Sequence, residues 1–221
     1  MTSPKDPFRS ARLFYRAVRG AEDDPIFAEI NEDRIGYMNS NGSNNRLPLP
    51  SDAERFRKSM EDNLMSAIIC LPEITTKDST STPRAGTPIG QVHLSGSSLR
   101  TMHHRRTEIG IDILPPFQGQ GYGSEAIRWA LEYAFSRTGM HKVRICAFEW
   151  NEGACRLYRK LGFKEEGRNR EAMWHEGRFW DVVDMGMLDR EWWAMEGERK
   201  KGEEEKKEEG ERKDESGVVM I

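Results

Sequence analysis

The chain has 221 residues, 36% of them apolar, which suits one domain with a modest core. Residues 196–216 hold ten acidic and seven basic side chains and no apolar one, and removing them from the chain's 37 acidic and 34 basic residues leaves 27 of each. This neutral remainder argues against a surface built to bind nucleic-acid phosphates, which needs a basic excess.

The first half of the chain predicts one strand and two helices. Residues 12–19 predict the strand, and residues 24–30 a short helix with aspartate as N-cap and proline at its first position. Residues 34–50 are rich in Asn, Gly and Ser and predict a loop. A capping box at 51–54 then opens the second helix.

Three strands and a long helix follow. Residues 64–71 and 89–94 predict neighbouring strands, joined by an exposed, mobile loop at 75–88 that is rich in Ser, Thr, Pro and Gly. Residues 107–114 predict the next strand. The amphipathic helix after it is expected to end at Gly139.

The last part of the folded region predicts a strand, a helix and a hairpin. Apolar residues alternate over 143–147, and Asn151 caps a short helix that ends at Gly162. Residues 163–174 and 178–188 predict two final strands. This order of elements predicts an α+β protein with a mixed sheet, not a doubly wound parallel one.

The charged segment and the N-terminus set the expected domain limits. A segment without apolar side chains cannot offset the entropy lost on ordering, so we expect a disordered, charged tail at 194–221. We expect a flexible N-terminus at 1–10 and one folded domain at 11–193.

Residues 116–123 form a glycine-rich turn between the strand at 107–114 and the helix after it. Glycines let the backbone approach a ligand closely, and the unpaired amides of a first helical turn favour phosphate or pyrophosphate. The turn lacks the lysine of a nucleotide-hydrolysing loop and comes too late for a dinucleotide fold, so neither chemistry is expected. The alternative interpretation is that this turn only connects the strand to the helix and binds no ligand.

Two motifs stand out in the chain, Gln118-x-x-Gly121-x-Gly123 and Asn151-x-x-Ala154-x-x-Leu157-Tyr158-x-x-Leu161-Gly162-Phe163. Together they resemble the GNAT superfamily of acetyl-CoA-dependent N-acetyltransferases. The resemblance runs from about residue 12 to 188, and Glu165-Glu166-Gly167 with Gly177-Arg178-x-x-Asp181 is similar to the branch of ribosomal-protein and spermidine N-acetyltransferases. It implies the GNAT fold, a central mixed, mostly antiparallel, splayed sheet of about seven strands flanked by about four helices.

The resemblance also implies acetyl-CoA as cosubstrate, with its pyrophosphate on the glycine turn and its pantetheine arm along the preceding strand. The residues implied in binding it are Ile111, Ile113, Gln118, Gly119, Gln120, Gly121, Tyr122, Gly123 and Asn151. For Asn151, a role as helix cap alone is the alternative.

Attack of an amine on a thioester requires a base for the ammonium and an acid for the leaving thiolate. Tyr158 stands where the family places the tyrosine that faces the sulfur, although it also suits the core. Glu108 is the candidate base, directly or through water, unless it is only an exposed edge carboxylate. Carboxylates expected to attract a cationic acceptor are Asp112, which shares a strand face with Glu108, and Glu29, Glu32 and Asp33.

The sequence therefore predicts an N-acetyltransferase that acts on a polyamine or another small primary amine by direct transfer in a ternary complex. A protein N-terminal or lysine acetyltransferase is one alternative, and a catalytically silent acetyl-CoA-binding module is another. Acetyl-CoA and the amine are the expected partners, with neither nucleic acid nor membrane, and a homodimer is left open.

Cysteine and apolar content predict the compartment. Cys70, Cys146 and Cys155 show no disulfide or zinc spacing, and the histidines show no metal spacing, so we expect no metal and a reducing environment. There is no run of about 18 apolar residues and no apolar centre of a signal peptide near Met1. A cytoplasmic protein is expected.

Overall fold

One mixed sheet lies at the centre of the protein. A computed structural model describes residues 6–73 and 84–216, and within these ranges seven strands are ordered β1-β2-β3-β4-β5-β7-β6. Neighbouring strands are antiparallel except β4 and β5, which are parallel. This confirms the predicted sheet. The strands are β1 Phe14–Arg16, β2 Met65–Pro72, β3 Ala85–Leu94, β4 Arg106–Ile113, β5 Lys142–Phe148, β6 Lys164–His175 and β7 Arg178–Leu188.

The parallel pair opens a gap in the sheet. β4 and β5 pair at three residues, Arg106, Thr107 and Glu108 on β4, and their ladder ends there. The backbone of residues 109–113 therefore has no strand partner on its β5 side. Unpaired backbone groups need other partners, so an extended ligand with amide groups fits such an edge.

Six helices flank the sheet within the described ranges, rather than about four. They are α1 Asp24–Glu32, α2 Arg34–Ser40, α3 Pro50–Ser59, α4 Tyr122–Glu132, α5 Glu152–Lys160 and α6 Asp189–Ser216. Helices α1 and α3 bury Phe27, Ile68 and Leu114 against one face of the sheet. Helices α4 and α5 and the start of α6 build the larger core on the other face, which includes Ile127, Tyr158 and Trp192.

Helix α2 corrects the loop predicted at 34–50. The Asp33 side chain accepts a hydrogen bond from the Gly36 amide at 3.1 Å and so caps the helix, while Tyr37 is buried below it. The Asn and Gly content of this segment predicts a loop, whereas the helix depends on one cap, Asp33, and one buried ring, that of Tyr37. Similarly, α3 begins at Pro50, where Asp52 accepts from the Leu49 amide, and not at the predicted capping box.

Residues 194–216 continue the helix α6 that begins at Asp189, and the domain limit placed at 193 stays a prediction. Trp192 is 3% exposed and anchors its first turn. Beyond that turn, a composition dominated by Glu, Lys and Arg has high helix propensity even without an apolar face. Residues 217–221 lie outside the described ranges.

The residues before β1 contact α4. Pro7 accepts a hydrogen bond from the Trp129 indole at 3.0 Å and Ser10 donates to Glu125 at 2.7 Å, while the flexible segment expected at 1–10 stays a prediction. Ala85 to Pro88 belong to β3 and not to a loop, and residues 75–83 of that predicted loop lie outside the described ranges. None of the helices in the described part of the chain has the length and apolar character to cross a membrane.

Candidate active site

A cavity of about 560 Å³ lies between the α1–α2 wall, the C-terminal half of β4, the glycine turn and α5. It brings together eleven of the fifteen predicted site residues: Asp33, Ile111, Asp112, Ile113, Gln118, Gly119, Gly121, Tyr122, Gly123, Asn151 and Tyr158. Gln120, Glu108, Glu29 and Glu32 do not line it.

The glycine turn presents free amides to this cavity. Gly119 and Gly121 have φ angles of 71° and 82°, a conformation that favours glycine. α4 begins at Tyr122 and has no side-chain cap, so its first-turn amides are open to a ligand. Gly123 has an ordinary φ, and a Cβ there would make an ordinary contact of 3.8 Å with Ile113 Cγ1. A larger, branched side chain would extend into the cavity that Gly123 lines.

Arg12 was not predicted, yet its guanidinium lies beside this turn. Its Nη1 donates to the Gln120 carbonyl at 3.1 Å, its Nε contacts Glu125 at 2.8 Å, and it stacks on the Tyr122 ring at 4.6 Å. The Gln120 side chain turns back to the Pro116 carbonyl instead of the cavity. No local motif joins Arg12 to a turn more than 100 residues away, so sequence spacing gave no signal for it.

Tyr158 on α5 borders the cavity from its core side. The residue is 8% exposed and its ring lies 6.2 Å from that of Phe163. Among the described residues, its hydroxyl has no hydrogen-bond partner. Burial raises the pKa of this phenol, so it stays protonated and can act as a proton donor.

Asn151 serves as the helix cap that the sequence predicts. Its Oδ1 accepts a hydrogen bond from the Ala154 amide at 3.1 Å. The residue also lines the cavity at the start of α5, close to the glycine turn. Capping therefore places it beside the expected ligand.

Two carboxylates line the cavity from different elements. Asp112 on β4 accepts a hydrogen bond from Gln91 Nε2 on β3 at 2.7 Å. Asp33 caps α2 with one oxygen, and its other oxygen lies 3.4 Å from Gln118 Nε2. Burial raises the pKa of Asp112, the Gln91 bond lowers it, and the charge of Asp33 raises it further.

Glu108 lies on the same strand but outside the cavity. Its Oε1 accepts from the Cys146 thiol at 3.5 Å, and its Oε2 lies 3.7 Å from Arg144 Nη1. Nη2 of the same arginine donates to Asp184 at 2.8 Å. Partial desolvation and the Glu108 carboxylate raise the pKa of Cys146 to about 12, so the thiol stays protonated at neutral pH.

The acceptor side of the cavity is built mainly by residues that the sequence did not single out. Glu29 and Glu32 are exposed on α1, away from the cavity. The wall consists instead of Ile30, Gly36, Asn39 and Ser40, together with the predicted Asp33. The sequence signal that could have predicted this wall is the spacing Asp33-x-x-Gly36, in which an aspartate can cap the start of a helix. In the described part of the chain, no group of three or more His, Cys, Asp or Glu side chains is placed to hold a metal ion.

The chain belongs to the acetyltransferase (GNAT) domain family, whose model matches residues 12–164. Bacillus subtilis (strain 168) YdaF, which carries the name of a ribosomal N-acetyltransferase, is 36% identical over 96 residues, 43% of this chain and 51% of that protein. The spermidine N(1)-acetyltransferase of Escherichia coli (strain K12) is 32% identical over 91 residues, 41% of this chain and 49% of that protein. The matched region thus spans about half the length of these curated relatives.

Solved structures share the fold. The spermidine N-acetyltransferase from Vibrio cholerae in complex with CoA and spermine superposes with a TM-score of 0.64 at 24% identity, over 83% of this chain and 99% of that one. A GNAT-family acetyltransferase from Bacillus anthracis gives a TM-score of 0.65 at 20% identity, over 83% and 98%. These likenesses establish the GNAT architecture.

Proposed function

We propose that the protein is an N-acetyltransferase that moves the acetyl group of acetyl-CoA to a primary amine by direct transfer in a ternary complex. One observation carries this proposal: a single cavity joins the open amides of the glycine turn, the unpaired edge of β4 and the hydroxyl of Tyr158. These three features suit the pyrophosphate, the amide-bearing pantetheine arm and the leaving thiolate of acetyl-CoA.

The cavity residues fit acetyl-CoA. The amides that follow Gly121 suit the pyrophosphate, and Arg12 adds a cation beside the turn. The backbone of Ile111 and Ile113 suits the pantetheine arm because β5 does not pair there. We propose Asn151 as a further contact from α5. When bound, acetyl-CoA supplies the reactive thioester.

Side chains of the chain supply the proton chemistry. Tyr158 would donate a proton to the departing thiolate, which its buried phenol can do because it remains protonated. Glu108, the base expected from the sequence, would have to act through water, since its carboxylate does not line the cavity. Asp33 and Asp112 would attract the cationic acceptor.

We favour a polyamine or another small amine as acceptor, since two carboxylates line the cavity from opposite elements. Relatives named for spermidine acetylation support this choice. Glu29 and Glu32, which are exposed on α1, would act only through long-range attraction. A protein N-terminus or lysine, and a module without turnover, are the alternatives.

Release of free thiol from acetyl-CoA tests the proposal with spermidine, a monoamine and a peptide with a free N-terminus. We expect protein-dependent thiol release, greatest with spermidine. Release only with the peptide would replace the acceptor class, and binding of acetyl-CoA without release on any amine would favour the silent module.

Two further expectations belong to the proposal. The three cysteines are free, which agrees with a reducing compartment, and we propose the cytoplasm. Homodimer formation remains a prediction that sedimentation measures directly.

A further inference from the structure

We propose that Asp112, and not Glu108, takes the proton from the acceptor ammonium, and that Gln91 is the residue that positions it. The inference rests on the proposed function and assigns its base. Three features carry it: the place of Asp112 in the cavity wall, a buried hydrogen-bond chain behind it, and the separate engagement of Glu108.

Asp112 is held by one oxygen only. Its strand partner across the β3–β4 ladder is Gln91, which is 1% exposed and donates from Nε2 to Oδ2 at 2.7 Å. Among the described residues, Oδ1 has no hydrogen-bond partner. One carboxylate oxygen is thus fixed in place, and the other remains available to an acceptor in the cavity.

A half-buried histidine sets the orientation of the Gln91 amide. His93 Nδ1 lies 3.0 Å from Gln91 Oε1, and burial lowers the pKa of His93 to about 4, so the ring is neutral. The carboxylate of Asp112 needs a donor, so the NH₂ group of Gln91 faces it and the amide oxygen faces His93. A neutral His93 with its proton on Nδ1 completes this chain. The ring is wedged against Gly110, where a Cβ would collide with it, and edge-on to Phe56.

The ionisable groups around Asp112 come from each neighbouring element. Asp33 faces it from the start of α2, Tyr158 from α5 and His93 from behind on β3, and Glu108 lies four residues away on β4 itself. A base acts best when its pKa is raised toward the working pH. Burial and Asp33 raise the pKa of Asp112 in that direction.

Unlike Asp112, Glu108 has both carboxylate oxygens close to other side chains. One of its oxygens accepts from the Cys146 thiol and the other lies near the Arg144 guanidinium. Taking a proton would remove the charge that attracts Arg144, and the carboxylate does not border the cavity. Its contacts stabilise the β4–β5 junction.

The proton steps balance. Asp112 takes one proton from the ammonium and passes it to water, which frees the lone pair that forms the new C–N bond. As the C–S bond breaks, Tyr158 protonates the thiolate. The nitrogen releases its second proton to solvent, and the tyrosinate regains one from solvent. The net change is the release of one proton per transfer.

The test compares the pH dependence of kcat in the full-length wild type, Asp112→Asn and Glu108→Gln, with spermidine as acceptor. A base must be ionised, so the wild-type rate should fall as pH drops through the pKa of the base. This fall in rate is the acidic limb of the pH profile. In Asp112→Asn, we expect the acidic limb to disappear and kcat to fall by ~10²-fold or more. In Glu108→Gln, we expect the limb to persist.

Gln91→Met tests the positioning role. It keeps the side-chain length but removes the donor that favours the ionised form of Asp112, so the limb should move to higher pH. A loss that is only structural would lower kcat or melting temperature without moving the limb. Asp62→Asn, at an exposed carboxylate away from the cavity, is the matched control for folding and acetyl-CoA affinity.

The outcomes distinguish a failure of this inference from a failure of the proposed function. A limb that persists in Asp112→Asn and is lost in Glu108→Gln overturns the inference alone. If Asp112→Asn melts far below the control, an unmoved limb in Gln91→Met overturns it instead. A wild type that acetylates no amine overturns the proposed function, and this inference with it.

Discussion

The side chain of Tyr158 belongs to the hydrophobic core and to the cavity wall at the same time. Its ring packs near Phe163, while its hydroxyl has no hydrogen-bond partner in the described part of the chain. Because Tyr158 also lines the cavity, this unpaired hydroxyl is available to a ligand bound there. Its availability supports a role in the proton chemistry of the site.

Tyr158→Phe therefore separates packing from chemistry. We expect the melting temperature and the acetyl-CoA affinity to stay near wild type, because the ring is retained, while kcat falls by ~10²- to 10⁴-fold. Steady-state thiol release and thermal melting measure the two effects. A wild-type kcat would assign the protonation of the thiolate to water and leave the tyrosine to the core.

Sequence reasoning succeeded for residues where the constraint is local. Positive φ at Gly119 and Gly121 and the Asn151 cap follow from neighbours in the chain. Sequence reasoning was weaker where the role of a residue depends on how distant elements pack together. Strand alternation places Glu108 and Asp112 on one face, but only the packing of α1 and α2 over the sheet decides which of the two borders the cavity.

Helix α6 joins an apolar first turn to a long charged remainder. Trp192 is 3% exposed and its ring lies 6.2 Å from that of Phe135, whereas the adjacent Trp193 is 48% exposed. The sequence indicated where burial ends but not where the helix ends. Helix propensity extends an element beyond its packed part, and apolar periodicity does not register that extension.

The two tryptophans give a matched pair for the anchoring of α6. Trp192→Ala should lower the free energy of unfolding by ~3–5 kcal/mol, as expected for a large buried aromatic residue. Trp193→Ala should have a much smaller effect, because nearly half of its side chain already contacts solvent. Denaturant unfolding of both variants measures the difference, and equal losses would mean that α6 does not dock through Trp192.

Removal of residues 201–221 tests the charged part of α6. This truncation keeps the ion pairs of Glu196 with Arg128 and Arg199 and the buried first turn. We expect a melting temperature within about 2 °C of the full chain and unchanged amine acetylation, since the segment has little to bury. A drop of several degrees would show that the distal helix packs on the domain.

At the scale of the whole molecule, the parallel β4–β5 pair divides the sheet into two antiparallel halves. The strand order was not predictable from periodicity, because a hydrophobic pattern identifies strands but not their neighbours. The family resemblance supplied the splay, which the short β4–β5 ladder confirms. The gap between β4 and β5, the glycine turn and α5 lie together at one end of the β4–β5 pair. The interpretation of the cavity as an acetyl-CoA site depends on this arrangement.

The measurement that tests this account most directly is the affinity for acetyl-CoA, determined by calorimetry for the wild type, Gly121→Val and Gly123→Val. Gly167→Val is the control, since this exposed strand glycine has open space around its Cβ position. We expect the wild type and the control to bind alike. Gly123→Val, whose side chain would enter the cavity, should lose at least about tenfold in affinity, which corresponds to ~1.4 kcal/mol. Gly121→Val adds strain at positive φ to the same loss. Unchanged affinity in both folded variants, or no binding by the wild type, would contradict the account.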